Sequence, residues 1–192
     1  MLTRLVDALA RIMAILGGLV LGGLVVMTCL SIAGRFLSGL LYTDPLAGTA
    51  LAAALLDLGI GPIDGDFELI EAGMAFAIFA FLPITQLRGA HASVDVFTAR
   101  MGPGANRVLG FLWSGVFAGV LILVAWQLWL GTEAKMRYGE TTYLIQFPIW
   151  WAYAAALTGA VVAALVAIHV AVLRLVELAT GQTILPADGD RW

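Results

Sequence analysis

Charge is what this sequence has least of. Aspartate, glutamate, lysine and arginine make up 12% of the chain, about half the share of an ordinary soluble domain. No cluster of lysines and arginines occurs that could track a nucleic-acid backbone, which sets nucleic acid aside as a partner. A single cysteine, Cys29, allows neither an intrachain disulfide nor a cysteine metal cluster, and it reads as a small buried residue. The two histidines, His91 and His169, are too few for a metal site or for paired haem ligands across helices. Phosphate loops, dinucleotide fingerprints and nucleophile elbows are missing. His91, Ser93 and Asp95 include triad residue types, but closeness in sequence is not triad geometry. No catalytic residue, cofactor or metal site is read from the sequence, which does not read as an enzyme.

What the chain has in abundance is apolar side chains, at 61% of 192 residues. A soluble domain carries about 45–50%. A chain this short has too little interior for that excess, so much of it must face lipid. An apolar helix needs about 20 residues to cross the hydrocarbon core. Four segments qualify: Ile12–Gly34, Leu69–Leu87, Val108–Gly131 and Ile149–Leu173. The first follows Arg4 and Arg11 as a signal peptide would, but its 23 residues exceed the roughly 7–15 of a signal h-region. It is read as a retained span. A fifth apolar stretch, Leu46–Ile60, is shorter and carries Asp57, and it reads as a surface-lying or re-entrant helix.

Basic residues choose the topology. With four spans and both ends inside, the cytoplasmic side holds Arg4, Arg11, Arg88, Arg100, Arg107, Arg174 and Arg191, against Arg35, Lys135 and Arg137 outside. A fifth span would leave four inside and six outside. The positive-inside rule favours four. Trp126, Trp129, Tyr138, Tyr143, Trp150 and Trp151 bracket the third loop as an interfacial belt. Gly61-Pro62, Asp64-Gly65 and Gly102-Pro103-Gly104 mark turns, and Pro148 fits a first helical turn. Pro83 falls inside the second span and predicts a kink near its cytoplasmic end. The expectation is an all-α integral membrane protein, one domain over residues 1–192, with four transmembrane helices and both termini cytoplasmic.

Small residues at four-residue spacing let helix backbones approach in lipid. Ala14-Gly18-Gly22 and Gly115-Gly119 form such ridges. The last span has two, Ala152-Ala156-Ala160-Ala164 and Ala155-Gly159-Ala163-Ala167-Ala171. Two uses stand open for Ala152, Ala156 and Ala160: docking a larger partner, or packing within the chain. Glu68 and Glu71 share a face at the outer end of the second span. Either they favour a positive helix terminus, or Glu71, a turn deeper, is a proton or ion site or pairs with Arg35. After that span, Arg88, His91, Asp95 and Thr98 share a face beside the apolar stripe Ala90, Val94, Phe97 and Met101, which predicts a short amphipathic helix on the cytoplasmic interface. Asp95 lies four residues beyond His91, within reach of a local clamp.

Ala33-Gly34-Arg35-Phe36, Gly65-Asp66-Phe67-Glu68-Leu69-Ile70-Glu71, Pro83-Ile84-Thr85-Gln86-Leu87-Arg88 and His91-Ala92-Ser93-Val94-Asp95 occur in that order. In this series the chain resembles the small membrane subunit of tripartite ATP-independent periplasmic (TRAP) transporters. The motifs run from Gly34 to Asp95, and the topology match covers the chain. The resemblance implies a bacterial inner-membrane complex. A periplasmic binding protein would deliver an organic acid, a large permease subunit would carry it by sodium symport, and this chain would pack against that subunit as scaffold. Substrate and sodium would then be held outside this chain. Its apolar insertion from Leu40 to Ile60 is longer than the family's compact loop, and would either add surface near the binding protein or anchor in the outer leaflet. Two other classes stand beside this one: a self-sufficient four-helix proton-coupled exporter, and a membrane anchor for a redox enzyme. The exporter class places its acid in the first span, and Ile12–Gly34 has none.

Overall fold

The computed structural model describes residues 2–43, 48–89 and 103–181. Five helices follow in order: α1 (Leu2–Leu41), α2 (Ala50–Asp57), α3 (Asp66–Arg88), α4 (Pro103–Tyr138) and α5 (Ile149–Thr180). Four of them, all but α2, are long and apolar enough to cross a membrane. At eight residues, α2 rises only about 12 Å and cannot span. Its first turn is capped by the Thr49 hydroxyl, which accepts from the Ala52 amide at 3.2 Å. It packs on the end of α1, where Leu41 and Ala52 are buried.

The long helices overrun the apolar runs that specify them. Helix α1 has 40 residues and α4 has 36, or about 60 and 54 Å against a hydrocarbon core of about 30 Å. Leaving the apolar zone does not end a helix whose polar extension makes its own side-chain pairs. Asp7 and Arg11 pair at 2.9 Å in the overhang of α1, and Glu133 and Arg137 at 2.8 Å in that of α4. Glycine sets two of the stops: Gly89 and Gly181 take left-handed conformations as C-caps of α3 and α5. Helix α3 runs without interruption through the buried Pro83.

The helices form an open row. Helix α5 packs extensively against α4 on one side and α3 on the other, α3 packs against α1, and α1 touches α5 lightly. The row therefore reads α1–α3–α5–α4. Small residues make the joints. Ala160, Ala163 and Ala167 of α5 are fully buried, and Ala163, Ala164 and Ala167 form the core with Ala118 and Leu121 of α4. A methyl group on Gly159 would stand 2.8 Å from Phe79 Cβ, and one on Gly17 would stand 2.9 Å from Ala80 Cβ. The backbones of α5 and α1 thus approach α3 closely at these points. The ridges of α1 and α4 do not serve this way: Gly18, Gly22, Gly115 and Gly119 face open space.

Candidate functional site

Among the described residues, the charged side chains gather toward the two ends of the long helices. At the end where α3 begins, Ser31 of α1 is fully buried and donates to Asp66 Oδ2 at 2.6 Å. The same hydroxyl accepts from the Ile63 amide at 3.2 Å, while Asp66 Oδ1 accepts from the Phe67 amide at 2.8 Å. Arg35, one turn above Ser31, lies 3.8 Å from Asp66 Oδ2. A methyl group at Gly34 would overlap the Gly61 carbonyl, so the turn before α3 lies directly on α1. Asp66 is thus the pin between α1 and α3. Arg35 faces Asp66, and of the uses left open for Glu71 a pair with Arg35 is not the one seen: spacing within α3 fixes a face, but not which residue stands opposite α1.

Glu68 makes the second joint. Its carboxylate accepts from the Leu144 amide at 2.7 Å and the Ile145 amide at 3.0 Å. These amides sit at the tip of a tight hairpin between α4 and α5. Its stem is closed by the Thr141–Pro148 bridge and by the Thr142 amide donating to the Phe147 carbonyl at 2.9 Å. Gln146 has φ of 52° there, and Tyr143, Leu144 and Ile145 are exposed. Glu71 is exposed and joins neither cluster.

At the other end, Arg174 and Glu177 of α5 pair at 2.9 Å with side chains only 18% and 4% exposed. From sequence, Arg174 counts only among the cytoplasmic basic residues and Glu177 is not singled out. Arg88 is exposed as the last residue of α3, where a cation suits the negative helix end. His91, Asp95 and the amphipathic helix around them lie outside the described residues. Ala156 and Ala160 are 2% and 0% exposed inside this chain, with Ala152 half-buried above them. Of the two uses open for Ala156 and Ala160, internal packing is the one found, and neither is free to meet a partner.

The grooves between helices are apolar. One of about 340 Å³ lies between α4 and α5 beside Trp126, Trp129 and Leu165, and one of about 250 Å³ between α1 and α3 beside Leu24, Thr28 and Met74. Hydrocarbon suits such walls, and a carboxylate does not. The signals sequence reading missed were modest: Ser31 is one helical turn before Arg35, and Asp66 follows Gly65 at a helix start.

A family model described as tripartite ATP-independent periplasmic transporters, DctQ component, matches residues 24–178. No curated protein and no solved structure matches the chain.

Proposed function

We propose, from the premise that this chain belongs to the DctQ family of TRAP transporter components, that it works as a scaffold and not as a conduit. Its membership makes it a small, multi-pass permease component of an inner-membrane transport system. The finer reading is that it packs against a large permease subunit. A periplasmic binding protein delivers an organic acid to that pair, and a sodium gradient drives uptake. Both termini are cytoplasmic in this reading, so the hairpin at 141–148 and α2 face the periplasm.

The observation that supports a scaffold is the continuity of the interior helices. Binding sites in secondary transporters are built from broken helices, whose exposed termini meet the charged substrate and ion near the midplane. Helices α3 and α5, the two interior members of the row, run unbroken from end to end, and the grooves beside them are walled by hydrocarbon and indole. A chain of this kind positions another protein.

The test is to purify the tagged chain in mild detergent from cells that also express its companion subunits, then reconstitute the result. A large polytopic protein should co-purify. Vesicles holding both subunits and supplied with binding protein should take up an organic acid in a sodium-dependent way, and vesicles with this chain alone should not. Transport by this chain alone would overturn the scaffold reading.

A further inference from the structure

One carboxylate stands on an exposed apolar stripe of α3. Phe67, Glu71, Met74 and Ile78 recur at helical spacing and form the outward stripe of α3. Its apolar members are widely open, at 71%, 43% and 58% exposed for Phe67, Met74 and Ile78. The depth of Glu71 follows from its neighbours. Leu24 of α1 packs on Gly73, and Ser31 binds Asp66, so Glu71 is level with α1 between those two residues. The apolar run of α1 continues to Gly34, which puts Glu71 roughly 10 Å inside that run, and about 3 Å inside the apolar run of α3 itself, which starts at Leu69. It also lies beyond the first turn of α3, where the benefit of a positive helix terminus has faded.

Nothing in the described chain compensates it. The described cations at the end of the helices where α3 begins all face other carboxylates: Arg35 faces Asp66, Lys135 faces Glu140 and Arg137 faces Glu133. Acids at such depth as a rule face a bundle interior or a paired charge. Beside Glu71, the groove of about 250 Å³ between α1 and α3 is lined by Leu21, Leu24, Val25, Ile70 and Met74 together with Thr28 and the exposed Cys29, a shape that receives side chains of a crossing helix.

We infer that this face of α1 and α3 docks a transmembrane helix of another subunit, one that presents a lysine or arginine level with Glu71. The inference rests on the scaffold reading and names the surface through which it acts. The groove supplies the apolar contact and Glu71 fixes the register of the partner helix, because a one-turn slip would strand both charges in lipid.

The experiment uses the whole complex, co-expressed and purified through a tag on this chain. Glu71→Lys should lower recovery of the large subunit about tenfold or more, by placing like charges together. In a Cys29→Ala background, Met74→Cys labelled with a thiol-reactive photo-cross-linker (benzophenone maleimide) should cross-link to the large subunit on illumination, and Trp113→Cys on α4 labelled the same way should not. The cross-link does not depend on how well the Glu71 variant folds. Undiminished recovery with Glu71→Lys would mean that the carboxylate faces lipid, and a Met74→Cys cross-link between two copies of this chain would mean self-association. Either result overturns the inference while leaving the scaffold intact. If the unaltered chain recovers no large subunit at all, it is the scaffold reading that fails.

Discussion

Asp66 and Glu71 are five residues apart on one helix, about 140° of arc, and that arc separates a pinned carboxylate from an unpaired one. The sequence placed Glu68 and Glu71 together on an outer face and named Arg35 as an ion-pair candidate. What it could not carry was the register between α1 and α3, which depends on Gly34 meeting the Gly61 backbone and Gly73 accepting Leu24. With that register set, Arg35 falls to Asp66. Asp66→Ala should therefore destabilise the chain by about 1–3 kcal/mol, since it leaves the buried Ser31 hydroxyl without its acceptor. Asp66→Asn should recover part of that loss: its one amide oxygen can still accept from Ser31, but its NH2 then faces the Phe67 amide from which Asp66 Oδ1 accepts. The pair with Arg35, whose side chain is 57% exposed, contributes little. Unfolding in a titration with denaturing detergent measures both. Equal losses for alanine and asparagine would mean that the Ser31 bond is not what holds the pin, and that the second oxygen or the charge of Asp66 is.

At the scale of helices, the spans were legible and their ends were not. Hydropathy reports where lipid begins, whereas a helix stops only where capping or turn chemistry stops it, as at Gly89 and Gly181. This is why α1 and α4 continue through Asp7–Arg11 and Glu133–Arg137. The small-residue ridges were also legible as ridges, but spacing alone gives no partner. Those of α5 were consumed inside the chain, and those of α1 and α4 face outward. A contrast between glycines tests that division. Gly159→Ala would set a methyl 2.8 Å from Phe79 Cβ and 3.2 Å from its backbone carbon, so α3 and α5 must separate at a cost of about 1–3 kcal/mol. Gly115→Ala meets nothing within 4 Å and should be neutral or slightly stabilising, within about 1 kcal/mol, by helix propensity. Detergent-titrated unfolding of the two variants should differ clearly in midpoint. Equal midpoints would mean that the close approach at Gly159 does not bind the row.

The order α1–α3–α5–α4 was not legible at all, because periodicity assigns faces to helices and says nothing of which helix comes next. Beside a small alanine-rich core along α5, an open row leaves an exposed apolar face on each long helix, and that face is contact area, which suits a scaffold. Its orientation in the membrane remains an inference from seven basic residues on one side against three on the other, and the structure supplies sites to test it. Tyr143 is 92% exposed at the hairpin tip, and Thr180 is exposed at the last residue of α5. In a Cys29→Ala background, Tyr143→Cys should react with a membrane-impermeant maleimide added to cells whose outer membrane has been opened. Thr180→Cys should react only after the inner membrane is permeabilised. The reverse pattern would invert the chain, put Arg35, Lys135 and Arg137 in the cytoplasm, and move the hairpin held by Glu68 away from any periplasmic partner. Labelling of both from outside would be a different result: α5, the one helix between them, would not cross the membrane as its length and hydropathy indicate.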